Sequence, residues 1–165
     1  MGRRRGRLGS LASVRWTAAA CLTRASKLAP RASPMPSDEE ELYQDHILDH
    51  YEDPFHRGHL DGVTHAHADK NPLCGDVVKI ELQLDDEGKI VDLYFDGEGC
   101  VISQASASML LEEMYGKTVD DIKMFSAEDM LKLYGPRLTP NRQKCCLLSW
   151  KVIQGAIHSP VDGEK

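Results

Sequence analysis

Three short cysteine motifs, far apart in the sequence, place the strongest constraint on how this chain can fold. Cys74 precedes a Gly-Asp pair, Cys100 follows Gly-Glu-Gly, and Cys145 stands at the start of an apolar helical stretch. With Asp76, the three thiols make a possible four-ligand metal site, and thiolates select zinc, Cu(I) or iron–sulfur species. A fold that builds this site must bring distant segments together.

The carboxylate of Asp76 is a harder ligand than the thiolates and binds such metals less firmly. The set therefore favours a site that releases its metal. The alternative is that the cysteines are unconnected buried residues, since free cysteine is among the most buried residue types. Cys146 fits this alternative, because on a helix it points about 100° away from Cys145, and we expect it in the core.

The distribution of charge excludes one class of function. The formal net charge of the 165 residues is −6, but residues 1–37 hold eight Arg or Lys and no acid. Residues 38–165 hold 12 basic and 26 acidic residues. This body lacks the clustered positive charge that nucleic-acid binding needs, and no apolar run reaches the roughly 18 residues of a membrane span. We expect neither a nucleic-acid nor a membrane partner.

Residues 1–36 have the composition of a leader rather than of a folded domain. They are rich in Arg, Ala and Ser, as mitochondrial and plastid transit peptides are. The alternative is that translation begins at Met35.

The five cysteines do not resemble a secreted disulfide framework. We therefore expect a disordered leader and a reducing compartment, either the cytoplasm or, if the leader is genuine, the mitochondrial matrix or a plastid.

The remaining sequence predicts one domain over 37–158 and a frayed tail over 159–165. A capping box of Ser37 and Glu40 predicts a helix over 38–51. Its apolar side is predicted to consist of Leu42, Tyr43, Ile47, Leu48 and Tyr51.

Alternation of apolar and polar residues predicts a hairpin of two strands, 77–84 and 90–95, and a weaker pattern predicts an edge strand over 63–68. The glycines after residue 95 are expected to end the second strand. A helix follows over 101–115, whose small residues predict close packing on the sheet.

Two short helices are predicted over 118–124 and 126–134, the second capped by Ser126 with Asp129 three residues later, and a last helix is predicted over 142–158. The fold class is therefore α+β, a small antiparallel sheet of about three strands with helices packed on it. Cys100 and Cys145 would then lie at helix N-termini, where the helix dipole lowers the pKa of a thiol.

The sequence resembles the U-type iron–sulfur cluster assembly proteins, the group of IscU, SufU and NifU N-terminal domains, over nearly all of residues 40–158. The motifs that carry the resemblance are Asn71-Pro72-Leu73-Cys74-Gly75-Asp76, Gly97-Glu98-Gly99-Cys100-Val101-Ile102-Ser103 and Lys144-Cys145. The residues in and around these motifs are most similar to those of the SufU branch. The short interval from Cys100 to Cys145 is nearer to IscU, whose chaperone-binding loop is replaced here by Leu138-Thr139-Pro140-Asn141-Arg142.

The resemblance implies that Cys74, Asp76, Cys100 and Cys145 bind the metal or the nascent [2Fe–2S] cluster. It also implies that a cysteine desulfurase delivers sulfur to Cys145, and that Arg142 lies beside the metal site.

The expected function is a scaffold that binds iron, assembles the cluster and passes it to recipient apoproteins or carrier proteins, without being an enzyme itself. The alternatives are a zinc-dependent sulfurtransferase, which would be an enzyme, and a plain structural zinc protein. From their charge and position, Arg142 and Lys144 are expected to favour the thiolate of Cys145.

Overall fold

Eight regular elements follow one another in residues 38–161, the part of the chain that the computed structural model describes. In chain order they are α1 (Asp38–Glu52), β1 (His65–Lys70), β2 (Val77–Leu84), β3 (Ile90–Glu98), α2 (Val101–Met114), α3 (Val119–Met124), α4 (Ala127–Tyr134) and α5 (Pro140–Ala156). The predicted leader over 1–36, the predicted capping residue Ser37 and the end of the tail lie outside these residues. Among the described helices, none has the length and apolarity that a membrane crossing requires.

The three strands form one antiparallel sheet in the order β1-β2-β3. β2 and β3 make the predicted hairpin, which pairs Val77 with Glu98 at one end and Leu84 with Ile90 at the other. β1 pairs with the other side of β2 and begins two residues later than predicted. The α+β class and the three-stranded sheet are confirmed.

β3 runs three residues beyond the predicted strand end, to Glu98. Gly97 does not end the strand, since it pairs with Val78 in the sheet. A Cβ atom at Gly97 would lie 2.1 Å from the carbonyl oxygen of Val77. The glycine therefore permits a close approach of two strands, and the sheet extends as far as the cysteine motifs.

The core lies between one face of the sheet and the helices α2 and α5. Every residue from 103 to 110 of α2 is buried, as its small side chains predict. The hydroxyl of Ser149 on α5 lies 3.4 Å from that of Ser106 on α2. The sheet contributes Val78, Ile80, Leu82, Leu93 and Phe95 to this core.

The first helix packs differently from the pattern of its sequence. Of its predicted apolar face, Ile47 is buried, whereas Tyr43, Leu48 and Tyr51 are between 38% and 47% exposed. A polar contact attaches α1 to α2, because Nδ1 of His50 lies 2.8 Å from the hydroxyl of Ser108.

The last helix begins two residues before its predicted start, with Pro140 at a position where a proline loses no helical hydrogen bond. Cys145 consequently lies in the second turn of α5 rather than in the first. The next residue, Cys146, is fully buried in the core, as expected.

Candidate metal centre

The loop between β1 and β2 carries Cys74 and Asp76. It is closed by two backbone hydrogen bonds, because the N–H of Asn71 donates to the carbonyl of Asp76 and the N–H of Gly75 donates to the carbonyl of Asn71, each at 2.8 Å. This turn leaves Cys74 exposed and buries Asp76 at 4% exposure. The two candidate ligands therefore have a fixed position relative to each other.

Cys100 lies at the junction of β3 and α2, where it is the N-cap residue of the helix. Its N–H donates to Oδ1 of Asp76 at 3.1 Å, and its thiol donates to Oδ2 of the same carboxylate at 3.4 Å. The predicted position of Cys100 at a helix N-terminus is thus the observed one. Asp76 joins the second cysteine motif to the first.

Cys145 reaches the same place from α5. Its Sγ lies 3.4 Å from Sγ of Cys74. One possible ligand atom from each of Cys74, Asp76 and Cys145 lies within 4.8 Å of the others. Cys100 contacts this cluster through Asp76. The structure therefore places Cys74, Asp76 and Cys145 close enough to share an ion, and it places Cys100 beside Asp76.

The donor set fits a thiophilic metal ion. Three sulfur atoms and one carboxylate oxygen suit zinc or iron, and zinc sites commonly have four ligands. Within residues 38–161, one group of three His, Cys, Asp or Glu side chains is close enough to share an ion, and it consists of Cys74, Asp76 and Cys145.

Close backbone approach at Gly99 makes room for this arrangement. A Cβ atom there would lie 2.4 Å from Oγ of Ser103 and 2.8 Å from Cγ of Asp76. Contacts this short cannot be accommodated without movement of Asp76 or of the first turn of α2. The glycine before Cys100 thus leaves space for the carboxylate.

The carboxyl group of Asp76 is stabilised as the anion. Burial alone would raise its pKa, but hydrogen bonds from Cys74, Cys100 and Ser103 together hold the pKa below its ordinary value. The group is therefore a carboxylate, the form that can bind a metal ion.

The thiol of Cys145 behaves differently from the prediction. Burial raises its pKa, and the neighbouring thiol of Cys74 raises it further. The expected lowering is not found, because burial and the neighbouring groups dominate; Cys145 also lies beyond the first helical turn, to which the dipole effect is confined.

Arg142 and Lys144 both lie on the exposed side of α5. Arg142 borders a cleft of about 310 Å³ with Ile47 and Tyr134, while Lys144 borders a groove of about 260 Å³ with Trp150. In the described residues neither side chain has a hydrogen bond or an ion pair to a candidate ligand.

One residue of the site was not singled out from the sequence. Asn71 is 5% exposed, and its side-chain NH2 group donates to Sγ of Cys145 at 3.6 Å. The sequence signal was weak, an asparagine before a proline in the first cysteine motif. Its partner lies 74 residues away, so that the contact depends on the tertiary fold.

Comparison with known proteins identifies related sequences and structures. The sequence model described as the NifU-like N terminal domain matches residues 42–160. The iron–sulfur cluster assembly scaffold protein IscU of Thermotoga maritima is 38% identical over 132 residues, which span 70% of this chain and 92% of that protein. The zinc-dependent sulfurtransferase SufU of Bacillus subtilis is 36% identical over 134 residues, 70% of this chain and 89% of that protein.

A solved structure of a related protein has the same fold as this chain. The crystal structure of a putative iron–sulfur cluster assembly scaffold protein for the SUF system from Fervidobacterium islandicum superposes with a TM-score of 0.59 at 30% identity. The superposition covers 71% of this chain and 97% of that one. The sequence comparison and the structural comparison thus both find similarity to iron–sulfur cluster assembly proteins of the IscU and SufU type.

Proposed function

This chain belongs to the family of NifU-like N-terminal domains, and we propose that it is a scaffold on which an iron–sulfur cluster is assembled for transfer to recipient proteins. The observation that carries the proposal is the meeting of Cys74 and Asp76 with Cys145, with Cys100 hydrogen-bonded to Asp76. Such a site binds iron or zinc through sulfur and has one weaker oxygen ligand. The weaker ligand suits a protein that gives up its cargo.

Cys145 is the proposed acceptor of sulfur from a cysteine desulfurase. The Cys145 thiolate attacks the outer sulfur of the desulfurase's cysteine persulfide, the donor's S–S bond breaks, and the donor cysteine leaves as a thiolate. Cys145 then carries the persulfide, and the step needs no outside oxidant. Because Cys145 is buried while Cys74 is exposed, the donor approaches along the exposed loop of Cys74.

Asp76 is the proposed point of exchange. Its oxygen binds iron or zinc less firmly than the thiolates do, so that a ligand from a recipient protein can replace it first. Recipient apoproteins or carrier proteins then take the cluster from the three cysteines. In this role the protein is a scaffold rather than an enzyme.

A zinc-dependent sulfurtransferase is the second candidate. Three thiolates and one carboxylate can hold zinc with four ligands, and the relative from Bacillus subtilis bears that name. In this case Cys145 would accept persulfide sulfur and pass it to another scaffold.

The described cysteines are free thiols, which suits a reducing compartment. That compartment is the cytoplasm or, if the leader is genuine, the mitochondrial matrix or a plastid.

Anaerobic reconstitution separates the two candidates. The full chain is incubated with ferrous iron, cysteine, a cysteine desulfurase and dithiothreitol, which supplies the electrons that reduce persulfide sulfur to sulfide. The visible spectrum, bound iron and acid-labile sulfide are then measured. A scaffold gains cluster absorption with equal amounts of iron and sulfide. A sulfurtransferase keeps zinc, gains no cluster and accelerates the desulfurase.

Two adjacent cysteines provide a matched pair of variants. Cys145→Ala removes the proposed acceptor, whereas Cys146→Ala removes a core thiol that lies outside the site. We expect the first variant to lose cluster formation and the persulfide found by mass spectrometry, and the second to retain both. Equal activity of wild type and Cys145→Ala would contradict the assignment of Cys145.

A further inference from the structure

Asn71 connects two of the candidate ligands. Its backbone makes both hydrogen bonds that close the loop of Cys74. Its side-chain Oδ1 accepts a hydrogen bond from the N–H of Leu73 at 3.1 Å. The remaining group of the side chain, the NH2, faces Cys145 on α5.

The orientation of the Asn71 amide is determined by its neighbours. The backbone N–H of Leu73 can only donate, so the atom that faces it must be the side-chain oxygen. The NH2 group is therefore the one that lies 3.6 Å from Sγ of Cys145. An exchanged amide would place two donors against each other at Leu73.

This NH2 group is the donor suited to a Cys145 thiolate. As a thiol, Cys145 lies 3.8 Å from the carbonyl of Asn141 in its own helix and can donate to it. A thiolate has no proton to donate and can only accept, whereas Asn71 remains a donor in both states.

We propose that Asn71 is a positioning residue, which holds the sulfur of Cys145 beside Cys74 by donating a hydrogen bond to it. The inference rests on the proposed function, since it concerns how the site binds a metal ion and presents Cys145 to a persulfide donor. Asn71 keeps the attacking sulfur at a fixed place between α5 and the β1–β2 loop. The persulfide transfer itself is unchanged: the Cys145 sulfur forms the new S–S bond and the donor's thiolate leaves.

The test uses the full chain with Asn71→Asp and Asn71→Leu. Asn71→Asp keeps the side-chain oxygen that accepts from Leu73 but loses the NH2 donor. Asn71→Leu loses both. Zinc affinity is measured by competition with a chelator, and the sulfur-to-metal charge-transfer bands are recorded with Co²⁺. Thermal unfolding of the metal-free protein measures the structural cost.

We expect Asn71→Asp to bind zinc roughly 10–100-fold more weakly than wild type, as losses of hydrogen bonds to metal ligands do. Its Co²⁺ charge-transfer bands should shift, while its metal-free melting temperature stays close to that of wild type. Asn71→Leu should show the same weak binding and a lower melting temperature.

Zinc affinity and Co²⁺ spectra of Asn71→Asp equal to those of wild type would overturn the inference, because a residue that only closes the loop keeps its function in that variant. Tighter binding by Asn71→Asp would overturn it as well. Failure of the proposed function is distinct, since the wild-type chain itself would then form neither a cluster nor a persulfide on Cys145.

Discussion

At the scale of single residues, Asp76 differs from the other candidate ligands in its donor atom. Its carboxylate is the weakest ligand of the set and the proposed ligand that a recipient protein replaces first. Because Asp76→Ala lacks this exchangeable ligand, we expect it to transfer a bound [2Fe–2S] cluster to a recipient more slowly, whatever the change in its equilibrium affinity for metal. A tenfold decrease in rate corresponds to about 1.4 kcal/mol in the barrier. Transfer to an apo-ferredoxin, followed by visible circular dichroism, measures this rate.

Asp69→Ala is the control for that measurement. Asp69 is an aspartate on β1 that pairs with Lys151 at 2.5 Å and lies outside the ligand cluster. Its replacement should leave the transfer rate as in wild type. If Asp76→Ala also transfers its cluster at the wild-type rate, Asp76 is not the point of exchange.

His50 is a second residue with a specific consequence, in this case for stability. Burial lowers its pKa, and His46 lowers it further, although Glu112 and Asp49 oppose the shift. The unfolded chain therefore binds more protons near the ordinary pKa of 6.5. The free energy of unfolding should fall as the pH drops through and below that value.

The histidine contribution can be measured on the metal-free protein. Urea unfolding at a series of pH values should show a smaller decrease in stability for His50→Gln than for wild type. His158→Gln, which changes an exposed histidine after α5, is the control and should follow wild type. A decrease for His50→Gln as steep as that of wild type would assign the pH dependence to other groups.

At the scale of elements, the junction of β3 and α2 decides whether Asp76 can lie beside Cys100. We expect Gly99→Ala to weaken zinc binding roughly 10–100-fold, because its Cβ would displace the carboxylate that contacts Cys100. Gly116→Ala is the control. Gly116 has a φ of +72° with open space around it, so its replacement strains the backbone far from the ligands.

The two glycine variants should therefore separate stability from binding. Gly116→Ala should lower the melting temperature, with a cost of about 1–2 kcal/mol, and bind zinc as wild type does. Isothermal titration with zinc and thermal unfolding measure both quantities. Undiminished zinc affinity in Gly99→Ala would mean that the site tolerates movement of Asp76.

Local sequence patterns predicted most elements because their signals are local. Alternation located β2, and Ser126 with Asp129 marked the start of α4, where both capping hydrogen bonds are present. The errors occurred where tertiary contacts decide. Gly97 continues a strand because Val77 approaches it closely. In α1, Tyr43, Leu48 and Tyr51 stay partly exposed, while His50 makes a polar contact with Ser108 of α2.

The candidate site was predictable to a similar extent. Cysteines with adjacent glycines and Asp76 form motifs that can be recognised in one sequence. The contact of Asn71 with Cys145 could not be read in this way, because it joins residues on different elements. The raised pKa of Cys145 also depends on the start of α5 and on burial, neither of which the motif contains.

At the scale of the whole molecule, the site is assembled from most of the domain. Its candidate ligands come from the β1–β2 loop, the β3–α2 junction and α5. Metal binding should therefore stabilise the complete fold, by about 2.7 kcal/mol when free zinc is 100 times its dissociation constant. Each of these segments lies within residues 38–161, outside the proposed leader.

We expect a variant that lacks residues 1–36 to fold and bind zinc as the full chain does, because the domain proposed for residues 37–158 contains every candidate ligand. The melting temperatures of both forms, with and without zinc, and their zinc stoichiometry check this expectation. A lower zinc-dependent rise in melting temperature after truncation would mean that the leader contributes to the folded domain, and the proposed boundary would be wrong.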